Sequence, residues 1–543
     1  MGPSGTPSVE NAPPPSRDDS PCLGIWGVAI CRLALHSQGK DRRRDNTVER
    51  VHMEQATATQ RYYAGIDLAL RADHLARLLD DRGRAVGRPL RFGRTYDEME
   101  AMFQTLTDRV PEGCEIIWGC EATGAAWKLV CAFLQGKGQQ VSLENPAGIA
   151  ALRDVDYRFF KNDDVDAGTI AEMVLRKVRR GIPLRPVPSA LHQATRSLAR
   201  DIDKLGKQLS RIKTRFSSLL CDLLLPSLKP SDHEWASPTL LPVLSKYADP
   251  REIAGKGLKT FIKCAKKIGG PRTSEAALMK LHAAAVDAVR CYGEAGLHYE
   301  AQAFRLFDAI EEIRHTEERR EMMGEQLRKL LDQARTKADV EHGLTVTGVG
   351  EASLDTFIAI YGPPKQWPTF KAMKRLAGTV PTEDKSGNND GHQRMNKLGE
   401  PVLRTTIFQI GNVARRYDAY FAAKYYDQMV HRGKGHAAAC IATGLQVLNC
   451  LRAVLRDQRA YVHRDPQTGE VITKEQSREL AQTVYLVPEE VRADRAKRKR
   501  NAHQQPKKTT NDTRHRTRNA QSNVQNQQNH KQKRQLSQVT APK

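Results

Sequence analysis

From Arg61 onward the spacing of apolar positions predicts strands over Tyr62–Leu70 and His74–Asp81, with a third near Arg88–Phe92. Tyr96–Arg109 has helical spacing, and Glu115–Cys120 is a short apolar strand running into Glu121-Ala-Thr-Gly. Ala125–Gln135 is an apolar-faced helix, Gln140–Leu143 another strand, and Asp163–Lys177 a further helix. Three early strands followed by alternating helix and strand predict a mixed sheet covered by helices over residues 59–182.

The period then changes. Leu191, Leu198, Ile202, Leu205, Leu209, Ile212, Phe216 and Leu219 follow the a/d seam of a coiled coil. Leu306, Ile310, Ile313, Met323, Leu327 and Leu330 occupy compatible positions on a second helix. The two helices fill 187–338 and predict either a helical hairpin packed within one subunit or an intermolecular coiled coil. Between them, 225–297 reads as a less regular helical insertion. Residues 340–465 predict a mainly helical C-terminal domain: helices near Glu351–Tyr361 and Thr369–Ala377, a polar loop, then helices from Pro401. The expected class is therefore α/β plus α.

Both ends differ from this body. Residues 1–58 are rich in Pro, Gly, Ser and charge without sustained periodicity, so disorder is expected, with Met53 as the natural start. Residues 466–543 read as a polar to basic, Asn/Gln-rich tail, largely disordered.

Charge narrows the class of partner. The 543-residue chain holds 86 Lys+Arg against 63 Asp+Glu, a net charge of +23. An excess of that size attracts a polyanion, so nucleic acid is the first partner to consider. From Val491 to the end there are 15 Lys/Arg and 2 Asp/Glu, so over half of the excess sits in the tail and suits a non-specific nucleic-acid arm. The ten cysteines show no CxxC pair and no zinc-type spacing, and read as reduced thiols. No signal peptide or membrane span is evident, so a cytoplasmic, nucleoid-associated location is expected.

Two groups of residues can carry chemistry. Asp67 ends the apolar run Ala64-Gly-Ile-Asp, and Glu121 follows Ile116-Ile-Trp-Gly-Cys. Asp163 and Asp166, three apart in Lys161-Asn-Asp-Asp-Val-Asp, share a helix face near its N-terminus, with Asp164 turned elsewhere. Each acid alone is an ordinary strand end or first-turn residue. Together they can bind one or two Mg2+ (or Mn2+) ions, which stabilise attacking and leaving oxygens at phosphorus.

The second group is the loop Gly378-Thr-Val-Pro-Thr-Glu-Asp-Lys-Ser-Gly-Asn-Asn, in which Ser386 is the candidate nucleophile. His392 is not spaced as a triad base, and the metal cluster could activate the serine instead. Lys397 and Arg404 flank the loop and can neutralise phosphate. Thr347-Gly-Val-Gly before a helix suggests a phosphate seat on the backbone at Gly348 and Gly350, or a tight interhelical turn.

This ordered series resembles the DEDD-type insertion-sequence transposases, a superfamily that includes the Piv-like DNA invertases. The first block runs from Gly65-Ile-Asp67 through Glu121-Ala-Thr-Gly and Asn145-Pro146 to Lys161-x-Asp163-x-x-Asp166-Ala. The second runs from Thr347-Gly-Val-Gly through Val380-Pro and Ser386-Gly to Lys397-x-Gly and Leu403-Arg404. Asn162, Leu398 and Glu400-Pro401 depart from the usual pattern. The resemblance implies an RNase H-like, RuvC-like domain with the tetrad Asp67, Glu121, Asp163 and Asp166, and a transposase domain with Ser386 as nucleophile. Lys161, Gly348, Gly350, Lys397 and Arg404 would then touch nucleic acid. It implies DNA as substrate, a homo-oligomer assembled through the coiled coil, and for some members an element-encoded guide RNA. A site-specific invertase, a RuvC-like nuclease that only cuts, and a non-catalytic nucleic-acid scaffold are the alternatives. Four correctly ordered acids weigh against the scaffold, since unused carboxylates repel DNA.

Overall fold

The computed structural model describes residues 60–504 apart from 70, 123, 157–162 and 383–393. The N-terminal extension, Met53, Lys161, Ser386, His392 and residues 505–543 lie outside the described residues, as does the side chain of Asp163. The chain forms two compact units whose boundary falls between Leu184 and Arg185.

The first unit runs β1 (Arg61–Asp67), β2 (His74–Leu79), β3 (Leu90–Phe92), α1 (Tyr96–Thr107), β4 (Glu115–Glu121), α2 (Ala126–Gly136), β5 (Gln140–Glu144), α3 (Pro146–Asp156) and α4 (Asp163–Arg179). Its sheet has the order β3-β2-β1-β4-β5. β2 is antiparallel to both neighbours, whereas β1, β4 and β5 are parallel. That is the RNase H-like arrangement. β1 and β4 are buried almost throughout (Ala64, Ile66, Trp118 and Cys120 are inaccessible), as strands covered on both faces must be. Thr95 opens α1 with a reciprocal capping box to Glu98. β1 stops at Asp67 rather than continuing to Leu70. α3 was not anticipated. Its start is marked by Asn145, whose side chain accepts from Ala147 N at 3.1 Å, followed by proline at the first helical position.

The second unit opens with α5 (Ala190–Ser217), which continues into a π-helical turn at Ser218–Leu224. Four helices come next: α6 (Leu241–Lys246), α7 (Pro250–Ala254), α8 (Leu258–Gly269) and α9 (Glu275–Tyr292). Beyond them lies α10 (Tyr299–Leu331), 33 residues long. α5 and α10 pack against each other within the chain, antiparallel, with Lys213–Glu317 at 2.9 Å and an Arg215–Glu312 ion pair. The heptad seam is therefore filled intramolecularly. Leu209, Ile212, Phe216, Leu306, Ile310 and Ile313 share a core with Trp235, Phe261 and Leu278 of the insertion. Ala199, Leu327 and Leu331 join the core of the C-terminal helices instead.

Those helices are α11 (Lys337–Gly343), α12 (Glu351–Tyr361), α13 (Phe370–Ala377), α14 (Pro401–Tyr417), α15 (Ala419–Tyr426), α16 (His436–Asp457), α17 (Lys474–Gln482) and α18 (Glu489–Gln504). A short hairpin, β6 (Pro381–Thr382) and β7 (Arg394–Met395), stands between α13 and α14. α16 is long and apolar enough to cross a membrane, but half of that stretch is buried and it packs along α14 as a core helix. α17 and α18 occupy a stretch expected to be tail. Ser477, Ala481 and Val487 are buried there, so part of this stretch packs on the helices before it.

Candidate active site

The acids of the first unit are positioned by glycine. Gly65 and Gly119 are direct partners across the β1–β4 ladder. A Cβ on Gly65 would collide with the Ala167 carbonyl and the Ala171 amide, and one on Gly119 would lie 2.7 Å from Val174 Cγ2. α4 therefore lies directly on the sheet, at a distance that only hydrogen side chains permit. Side chains alternate along a strand, so Asp67 and Glu121, two residues beyond these glycines, face the same side as α4. Early strand residues Tyr63 and Ile117 pack with late helix residues Val174 and Leu175. α4 thus runs against the strand direction and brings its N-terminus, with Asp163 and Asp166, to the end where β1 and β4 finish.

The charges at this edge are partly balanced by the chain itself. Arg153 of α3 donates from Nη1 to Asp166 Oδ1 at 2.8 Å. The Asp166 carboxylate holds the Arg153 guanidinium above its usual range against the opposing effect of desolvation, and Glu121 adds to that pull. Asp164 is drawn to Arg77 of β2 at 2.9 Å. Glu144, opposite Glu121 on β5, is fully buried, accepts from Ser142 at 2.8 Å and pairs with Lys177 at 2.5 Å.

Among the described residues no group of three or more His, Cys, Asp or Glu is arranged to hold a metal ion. The donor chemistry fits a hard divalent cation all the same: carboxylate oxygens only, two of them fixed at strand ends. Arg153 is the cation this edge already attracts.

In the second unit the structure describes the base of the serine loop. Gly378 closes α13 in the left-handed conformation (φ 64°), and a Cβ there would lie 2.5 Å from Gly399 N. Arg404 donates from Nη1 to the carbonyls of Ala377 (3.0 Å) and Gly399 (2.9 Å), so it clamps the two ends of the loop. Lys397 is exposed and left-handed (φ 56°), with its amide bonded to Gly378 O at 3.1 Å. Gly348 (φ 90°) faces α14: a Cβ there would sit 2.6 Å from Ile410 O. It is a packing glycine in a tight interhelical turn. Gly350 caps α12 in open space, and its amide donates to Ser353 Oγ at 2.9 Å.

Sequence reading passed over Arg153, Glu144 and Glu400. Glu400, 8% exposed, accepts from both Arg196 and Arg200 of α5 and so joins that helix to the loop base. A buried acid beside Gly399 is visible in sequence only as a departure from pattern; its partners lie 200 residues away.

Two family models match the chain. One for DEDD transposases of the IS110 type matches residues 64–224, and one described as "Transposase IS116/IS110/IS902 family" matches 343–427. No curated protein matches. The first match begins within β1 and takes in the rest of the sheet with α4 and α5, and the second takes in the loop base and α14. The chain therefore belongs to the IS110-family transposases, with a DEDD N-terminal domain.

Proposed function

We propose that this transposase cuts and joins DNA with the carboxylate set Asp67, Glu121, Asp163 and Asp166 together with Ser386 as the nucleophile. The observation that carries this reading is the Gly65–Gly119 seat, which lays α4 on the sheet and gathers the acids at one edge. Asp67, Glu121, Asp163 and Asp166 would hold Mg2+ or Mn2+, which when bound supplies charge stabilisation at the attacking and leaving oxygens. Arg153 orients the Asp166 carboxylate through its hydrogen bond. Ser386 Oγ gives up its proton and forms the bond to phosphorus as the bond from phosphorus to the departing strand's oxygen breaks; that oxygen leaves as a hydroxyl end, and the other DNA end stays on the serine. Arg404 joins the two ends of the segment that carries Ser386, and Lys397, exposed at its base, offers charge to the phosphate.

DNA is the substrate, and Lys161 and the basic C-terminal residues extend its footprint. Assembly into an oligomer and use of an element-encoded RNA belong to the same reading, supported by the +23 charge. Because the α5–α10 seam is filled within the chain, an oligomer would use another surface.

The test is a cleavage assay on element-end DNA with its flanking RNA and Mg2+, run on denaturing gels for wild type, Asp67→Ala and Ser386→Ala. Wild type alone should yield a covalent protein–DNA species. Free-ended cleavage by Ser386→Ala, with none by Asp67→Ala, would leave a metal nuclease and remove the serine from the mechanism.

A further inference from the structure

A second basic site lies on the C-terminal helices, partly beyond the stretch matched by the family models. A cavity of about 220 Å3 opens between the end of α14, α15, α17 and the start of α18. Arg415, Arg416, Arg478 and Arg492 line it, together with Tyr417, Tyr425 and Tyr485. No carboxylate ion-pairs with any of the four arginines among the described residues. The bonds that Arg415 and Arg492 do make go to neutral oxygens, Asn412 Oδ1 (2.9 Å) and Val487 O (3.0 Å). Elsewhere this chain pairs its arginines freely, as Arg196, Arg200 and Arg335 show.

The aromatic rings are held among these cations. Arg415 Cζ stands 4.6 Å from the Tyr425 ring centre, and Arg478 Cζ stands 5.5 Å from that of Tyr417. Burial pushes the Tyr425 hydroxyl up, while Arg415 and Arg492 pull it down, which places both cations beside it. Tyr417 lines the cavity and remains 39% exposed.

The mount is rigid. Asp418, fully buried, caps α15 through the Tyr420 amide at 3.0 Å, and Ser477 of α17 accepts from Ala419 N at 2.9 Å. Gln482 Nε2 reaches Arg416 O at 3.3 Å. The concave floor is therefore built from three helices joined by the buried Ser477–Ala419 bond and the exposed Gln482–Arg416 bond.

We infer that this recess holds one unstacked, phosphate-bearing nucleotide of a single strand, with the arginines on the phosphate and Tyr417 against the base. Unpaired guanidiniums recognise phosphate bidentately. Tyrosine faces serve only bases that have left the duplex stack, and every base has a face to offer. The volume is below that of a cavity for a drug-sized molecule and suits a single nucleotide rather than a folded ligand. The strand is either DNA displaced during exchange or a single-stranded stretch of RNA, since the two share this chemistry. The inference rests on the family's handling of nucleic acid and is independent of Ser386 and the carboxylates.

Equilibrium binding without Mg2+ tests it separately from strand chemistry. Fluorescence anisotropy of the full chain would be recorded with labelled oligo-dT, oligo-rU and a DNA duplex of equal length, across a salt series. Tyr417→Ala should weaken single-strand binding about 10-fold and leave duplex binding near wild type. Arg416→Ala/Arg478→Ala should also lower the single-strand salt slope by about 1.4, as two phosphate contacts require. Lys259→Ala/Lys263→Ala, an equal charge reduction on exposed α8, serves as control, and unchanged melting temperatures establish that all variants fold. An effect on oligo-dT alone identifies DNA, one on oligo-rU alone identifies RNA, and one on both identifies the shared chemistry. Equal weakening on single strand and duplex, or weakening no larger than the control's, overturns the proposal.

Discussion

Gly65 shows how much of an active edge hangs on one missing methyl group. The atoms a Cβ would meet are backbone, the Ala167 carbonyl and Ala171 amide, and no rotamer change can clear them. Gly65→Ala must push α4 off the sheet, and overpacking of that kind typically costs about 1–3 kcal/mol. A destabilisation of about 3 kcal/mol is expected, measured by urea denaturation. The same shift carries Asp163 and Asp166 away from Asp67, so DNA cleavage should fall on the order of 100-fold even in the folded fraction. Gly119→Ala comes closest to the side-chain methyls of Val174 and Ile170 rather than to backbone, and should be milder on both counts. Asp67 and Glu121 were legible as acids ending apolar runs. Arg153 was not, because a charge on a helix has no sequence mark distinguishing a partner of Asp166 from a solvated side chain.

At the scale of elements, α5 was legible from its period but its partners were not. An apolar seam states only that something covers it, and here α10, the insertion and α12 all do. The Glu400 link between α5 and the loop base carries a pH signature. Burial raises its carboxyl, but Arg200 and Arg196 together outweigh that and leave it below the usual value of 4.5. The stabilisation it gives is thus fully present above 4.5 and disappears as pH falls through the lower folded value. Glu400→Gln should destabilise the chain at pH 7 by at most the roughly 3–5 kcal/mol typical of a broken buried pair, since Arg200 stays half-exposed. It should also flatten the acid limb of stability. Denaturation midpoints of wild type and variant between pH 3 and 7 would check this, and parallel curves would deny Glu400 the role.

For the whole molecule, the acid set belongs to one unit and the serine-bearing hairpin to the other, as the two family matches also divide them. The residues past 504 are strongly basic. Removing 505–543, with nine Lys/Arg and one Asp, should lower the salt slope of duplex binding by about 0.9 for each phosphate no longer neutralised. The melting temperature should not change, because no described packing is removed; scanning calorimetry with a salt titration reads both. By itself the sequence determined the alternating order of the RNase H-like sheet, the acids at its strand ends, the helical character of residues 187–465 and the attraction to nucleic acid. Each of these is written in local period, residue type or net charge, which need no knowledge of distant neighbours. Only the tertiary structure decided that α4 sits on paired glycines, that Arg153 answers Asp166, that the heptad seam closes within the chain, and that four arginines converge without acids. Those facts are contacts between residues far apart in sequence, fixed by packing and charge pairing in space rather than by any local pattern.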